Sequence, residues 1–300
     1  MTPHPSRGPE PAAELRGVAK SFAGKAALAG LDLVLPRGAF VALLGPNGAG
    51  KTTALSLLLG LRIPDSGEVR LLGGSPLDDD TRRRVGVTPQ VSAFPAGLKV
   101  REIVAFVAAH YPTPMPEEEL YERFGLAELA PRQVGGLSGG EQRRLAVSLA
   151  LVGNPEVVFL DEPSTGLDVV ARHQMWDALR SFHAGGGTVL LTTHYLEEAE
   201  TLAEHIAVIN RGSMVAEGTP RDVTSRIALR RVRFRANTIP DIKPVAHSSF
   251  EEGVVTLYTP NSDLLVRRLI ETRVEFGDLE VLPAGLEEAF VRLTRDDPSC

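Results

Sequence analysis

The stretch AFVALLGPNGAGKTTALSLLLG, residues 39–60, decides how this chain folds. It opens on AFVALLG, a short apolar run without alternation, which suits a strand buried on both faces of a parallel sheet. It ends on a helical pattern carried by Leu55, Leu58 and Leu59. Between them Gly45-Pro46-Asn47-Gly48-Ala49-Gly50-Lys51-Thr52-Thr53 fits G-x-x-x-x-G-K-[ST], placed after a strand and before a helix as that motif requires. Glycines at 45, 48 and 50 let the backbone wrap a polyphosphate, so that successive N–H groups and a helix N-terminus point at its oxygens. The motif then predicts Lys51 on the β- and γ-phosphates and the Thr52 hydroxyl on Mg²⁺. A Gly-rich turn with one exposed lysine has the same composition, and only the flanks tell the two apart.

Similar apolar runs recur at VVFL (157–160) and TVLL (188–191), each followed by polar residues and then a helical pattern. Strands alternating with helices predict an α/β fold with right-handed crossovers. Ahead of them LRGVAKSF and LAGLDLVL, with Leu31, Leu33 and Leu35 at period two, predict an antiparallel edge. From about 91 to 136, segments such as REIVAFVAAHY and PEEELYERFGL predict a helical subdomain inserted into the sheet. IAVINRGSMVAEGT predicts a hairpin turning at Asn210-Arg211-Gly212. Regularity weakens near Arg226, and residues 228–300 restart as strand VRFRA, strand GVVTLYT, helix SDLLVRRLIETR, strand LEVLP and helix LEEAFVRLT. That pattern predicts a small α+β C-terminal domain. Arg231, Arg233 and Arg235 alternate with Val232 and Phe234, which marks a solvated strand face. Residues 1–12 read as a flexible, Pro-rich tail.

The chain has 300 residues, 43% hydrophobic and 23% charged, enough to bury a core and to exclude a disordered or fibrous protein. Its net charge of −6 argues against general nucleic-acid binding, and no nucleic-acid partner is expected. Cys300 is the single cysteine, so neither an intramolecular disulfide nor a Cys-based metal site is available. No uncharged apolar run reaches the roughly 18 residues that span a bilayer, which puts the work of these residues on the aqueous side.

Two further tracts carry chemistry. VVFLDE is an apolar strand ending in Asp161 and Glu162, and ligands of parallel sheets collect beyond the carboxyl ends of the strands. Asp161 would hold Mg²⁺ through its water shell while Glu162 orients and partly deprotonates an attacking water. A solvated acidic strand end reads the same way in isolation. In LSGGEQRRLAVSLAL, Ser138 and Glu141 form a capping box, with Leu145, Leu149 and Val152 at helical spacing behind it. Gly139 and Gly140 in the first turn each cost about 1 kcal/mol against alanine. Close approach of an anion to that N-terminus explains them, and a merely well-capped helix is the plainer alternative.

Taken in order, these residues resemble the ATP-binding cassette (ABC) ATPase family, with its phosphate loop, LSGGQ-like signature and strand ending in Asp-Glu. Gln90 in VGVTPQ resembles the glutamine loop, Thr165-Gly166-Leu167-Asp168 the D-loop, His194 in LLTTH the switch histidine, and Phe22 the aromatic that stacks on adenine. The resemblance spans about residues 13–227. It implies a P-loop α/β domain binding ATP and Mg²⁺, the metal held by Thr52, Gln90 and, through water, Asp161. It also implies that Ser138, Gly139, Gly140 and Glu141 reach the γ-phosphate held by a second copy, so that ATP is sandwiched in a homodimer. His194 would contact the γ-phosphate, Gln90 would sense the metal, and Asp168 would cross the interface. Read from spacing alone, His194 is a polar strand end, Gln90 a loop residue and Phe22 a core residue. Glu141 replaces the glutamine found in many members, a common variant that also completes the capping box.

Too few positions separate Lys51 from Ser138 for a coiled-coil insertion, and one cassette is present rather than two. LKVREIVAFVAAHYP, HYLEEAETLAEHIAVINRGSMVAEGTP and LEEAFVRLT resemble bacterial exporter ATPases of the ABC-2, daunorubicin-resistance type. That resemblance implies an ATPase working with integral membrane permease subunits at the cytoplasmic face of the cell membrane. A soluble ABC ATPase that remodels a protein partner is the alternative.

Overall fold

A computed structural model describes residues 10–88, 94–227 and 229–294. Gln90 and most of the Pro-rich tail, residues 1–9, lie outside the described residues. The chain divides into two compact units, Met1–Glu217 and Gly218–Cys300.

In the first unit the elements run β1 (Ala13–Phe22), β2 (Lys25–Leu35), β3 (Phe40–Leu44), α1 (Lys51–Leu58), β4 (Ser66–Leu71), α2 (Asp79–Arg82) and β5 (Val85–Thr88). They continue with α3 (Val100–Ala108), α4 (Glu117–Phe124), α5 (Gly139–Leu151), β6 (Val157–Asp161), α6 (Val169–Ala184), β7 (Thr188–Thr192), α7 (Leu196–Leu202), β8 (His205–Asn210) and β9 (Ser213–Gly218). Six strands form one sheet in the order β5-β6-β7-β3-β8-β9, and β5 through β8 are parallel. Every residue of β3, β6 and β7 is buried, which is why those runs are apolar without alternation. β8 and β9 form the hairpin read from the sequence, with Arg211 and Gly212 both at positive φ (50° and 79°), as a type I′ turn demands.

The antiparallel strands make a sheet of their own, β2-β1-β4. β4 was not read from the sequence, because SGEVRL lacks a clear alternation and its burial is partial. α1 packs against β1, β2 and β4 and also against β6, so Ala54, Leu55, Leu57 and Leu58 are all buried. Thr52 is exposed and Thr53 and Ser56 are half-buried on the opposite side, so α1 is the one-faced amphipathic helix its leucine spacing suggests. Each buried leucine contributes about 2 kcal/mol, so the core directly supports the start of α1.

The second unit holds α8 (Pro220–Ser225), β10 (Arg230–Arg235), β11 (His247–Glu251), β12 (Val254–Thr259), α9 (Ser262–Glu271), β13 (Gly277–Pro283) and α10 (Leu286–Thr294). Its antiparallel sheet runs β11-β12-β10-β13. Val232, Phe234, Val255, Leu257, Leu265 and Leu269 form its core. α8 packs on α10, which places it here although the sequence sets the division at 227/228. Arg233 and Arg235 are exposed as expected, but Arg231 is half-buried and lies 3.9 Å from Glu288 of α10.

Candidate functional site

Strands β6, β7 and β3 are neighbours, so the segments leaving their carboxyl ends meet at one edge of the sheet. Those segments carry Glu162, His194 and the loop 45–53. A cleft of about 700 Å³ opens there, lined by Ala27, Asn47, Gly48, Gly50, Lys51, Thr52, Thr53, Glu162 and His194.

The loop glycines serve different ends. A Cβ at Gly45 would lie 2.5 Å from the Ile209 carbonyl oxygen, so that glycine lets the loop press on β8. Gly50 caps α1 at φ 108°, and a Cβ there would sit 2.6 Å from the Ala27 oxygen. Gly48 needs its positive φ of 79° but has open space on its Cβ side, toward the cleft it lines. Lys51, first residue of α1, is buried and its Nζ donates to the carbonyls of Gly45 (2.6 Å) and Pro46 (3.2 Å). Burial pushes its pKa down, against the opposing pull of Glu162 and Asp161. The loop thus holds a desolvated cation across its mouth, with the N–H groups of the first turn of α1 beside it.

Asp161 ends β6 and is buried. One oxygen accepts from the Thr52 hydroxyl at 3.3 Å, the other from the Thr192 hydroxyl of β7. Glu162 then leaves the strand in the left-handed region, φ 51°, a conformation that costs a non-glycine residue about 1–2 kcal/mol. Its N–H donates to the Thr192 carbonyl (3.0 Å) and hydroxyl (3.2 Å), which holds the turn. The Glu162 carboxylate is 3.6 Å from His194 Nδ1, with 19% of its side chain exposed against 46% for the histidine.

Asp161 and Glu162 also have a neighbour that motif reading missed. Arg143, buried on α5, donates to the backbone carbonyls of Asp161 and Pro163, on either side of Glu162. Its proximity to that turn could not be read from spacing within LSGGEQRR. Burial lowers the Arg143 pKa, opposed by Asp161, Glu162 and Glu198.

The signature behaves differently. Ser138 accepts from the Glu141 N–H at 3.2 Å and donates its own N–H to the Glu141 carboxylate at 2.6 Å, forming the expected capping box, while Arg132 braces Glu141 at 2.9 Å. Ser138 and Gly139 are exposed, with open space on the Cβ side of Gly139, and neither lines the cleft. Gly140 lies against Gly166 and Leu167. Asp168 caps α6, accepting from the Ala171 N–H at 2.8 Å. Phe22 is also outside the cleft lining, half-exposed at the end of β1 with the Arg62 guanidinium 4.7 Å from its ring centre. Ala27 of β2 lines the cleft on that side.

Residues 28–165 match the family model described as ABC transporter. The Nod factor export ATP-binding protein I of Burkholderia thailandensis is 38% identical over 294 residues, covering 94% of this chain and 96% of its own. The daunorubicin/doxorubicin resistance ATP-binding protein DrrA of Streptomyces peucetius is 40% identical over 307 residues, 95% of this chain and 93% of its own. Among solved structures, a dimeric post-hydrolysis state of an ATP-binding cassette bound to ADP and Pi aligns with TM-score 0.63 at 28% identity, over 69% of this chain and 98% of that one. The chain belongs to the ABC transporter family. It is an ATP-binding subunit of exporter type, and its enzymatic activity is ATP hydrolysis. No described helix is long and apolar enough to cross a membrane.

Proposed function

We propose that this subunit powers export through separate integral membrane subunits, lying peripherally on the cytoplasmic face of the membrane, by ATP-driven pairing of two copies. One observation carries the reading. Lys51, Thr52, Glu162 and His194 share a cleft, while Ser138 and Gly139 lie exposed outside it at a capped helix N-terminus. A helix N-terminus with open glycine is complementary to phosphate, and a second copy brings it to the γ-phosphate that the first copy holds. The dimeric cassette among the structural relatives supports that arrangement.

The donors fit Mg²⁺, since the Thr52 hydroxyl that lines the cleft is a hard oxygen ligand and the Asp161 carboxylate, 3.3 Å behind it, would hold the ion through its water shell. When bound there, the ion neutralises charge on the phosphate oxygens. Gln90, the remaining expected metal contact, lies outside the described residues. In this reading Lys51 leaves the Gly45 and Pro46 carbonyls for the β- and γ-phosphate oxygens. Glu162 accepts a proton from the water that attacks the γ-phosphorus as the bond to the bridging oxygen breaks, and His194 orients the γ-phosphate. Phe22 stacks on adenine once Arg62 yields its ring face, and Asp168 meets the second copy. The residues 94–136 around α3 and α4 pass closure to the membrane subunits.

Glu162→Gln, tagged and drawn from detergent-solubilised native membranes with ATP present, is expected to bring down one polytopic membrane protein that the ATP-free sample lacks. Recovery of soluble proteins alone would refute the membrane-coupled reading and leave ATP hydrolysis standing.

A further inference from the structure

Three segments that matter to the cleft converge on Glu198, a residue with a buried carboxylate to which the sequence motifs gave no role. Glu198 of α7 has no solvent exposure. One of its oxygens accepts from the Ser164 hydroxyl at 2.9 Å, and the other from the Trp176 indole N–H at 3.1 Å. The Glu198 N–H in turn donates to the Tyr195 carbonyl at 3.1 Å. Ser164 is two residues past Glu162, Tyr195 is the residue after His194, and Trp176 lies on α6, the helix that Asp168 caps. The Trp176 N–H can only donate, and a carboxylate accepts from both groups at once, one on each oxygen. An amide at this position has a single acceptor oxygen.

We propose that Glu198 is a positioning residue for hydrolysis: by accepting from Ser164 and Trp176 while its own N–H holds the Tyr195 carbonyl, it fixes the turn bearing Glu162 against the turn bearing His194. This rests on the roles given above to Glu162 and His194. Burial raises the Glu198 pKa while the neighbouring hydroxyl and indole donors and Arg172 oppose that shift, as expected of a group whose hydrogen bonds offset its desolvation. Among the described residues no hydrogen bond joins the phosphate loop to Ser164, Trp176 or Glu198, so the effect belongs to the chemical step rather than to ATP capture. A built-in reporter is present, since Trp176 is the only tryptophan in the chain.

The test compares Glu198→Ala with wild type in steady-state ATP hydrolysis, equilibrium ATP binding and tryptophan emission. Misplacing a catalytic group by about 1 Å costs up to about a hundredfold in rate. The expected result is therefore a kcat at least about tenfold lower, with KM and ATP Kd within about threefold, together with a shifted Trp176 emission. Glu198→Gln, which keeps the volume, should lose less, about two- to fivefold in kcat, and carries the test by the same split should the alanine variant fail to fold. Wild-type kcat in the folded variant, or ATP binding lost in step with kcat, overturns the proposal. Glu162→Gln is assayed in parallel: if it still hydrolyses ATP at the wild-type rate, the assignment of Glu162 fails, and that failure is distinct from this one.

Discussion

Lys51, Thr52, Asp161, Glu162 and His194 could be named from sequence because each sits in a fixed local frame: a loop between strand and helix, or the end of an apolar strand. Arg143 and Glu198 could not, because their partners lie far along the chain. Arg143 meets residues 18 and 20 positions away, and Glu198 meets Trp176 and Ser164 at 22 and 34. Both act on the turn that holds Glu162 at positive φ. Arg143→Ala strips the donor from the Asp161 and Pro163 carbonyls inside the core, and is expected to cost about 2 kcal/mol of stability in urea unfolding. An unfolding midpoint equal to wild type would show that these bonds contribute nothing. Phe22 illustrates the reverse case, since the family resemblance implied a base-stacking role that requires it to leave the Arg62 guanidinium, while spacing alone read as core a ring that is half-exposed.

Among elements, β3, β6 and β7 were the plainest to read, because two-sided burial forces an unbroken apolar run. β11 was missed because HSSFE has neither alternation nor buried residues; it is held by backbone pairing to β12 at the sheet edge. The start of α5 was legible because a capping box is written in four consecutive residues. Its Glu141 carboxyl is held below the usual carboxylate range, first by the Ser138 N–H and also by the Ser138 hydroxyl and Arg132, against a smaller desolvation. A depressed folded pKa means that this contribution is fully present above the ordinary glutamate range and is lost as pH falls through the folded value. The stability difference between wild type and Glu141→Ala in urea should therefore be clear at neutral pH and shrink as the solution is taken below that range. A difference that does not change with pH would mean the carboxylate charge plays no part in the cap.

For the molecule as a whole, the sequence set a break at 227/228, where regularity gives way to a new run of strands and helices, whereas the compact units divide at Glu217/Gly218. The sequence could not show that the signature stands exposed outside its own cleft, since that depends on where α5 emerges relative to β6 and β3. This placement is what calls for a second copy. Dimerisation driven by nucleotide should then appear when hydrolysis is blocked and ATP capture is left intact. The direct test is size-exclusion chromatography of purified Glu162→Gln with and without ATP and Mg²⁺. A monomer that becomes a dimer only with ATP, and reverts to monomer when Ser138→Arg is added to the same chain, is the expected result. A monomer at every ATP concentration, in protein shown separately to bind ATP, would contradict the sandwich.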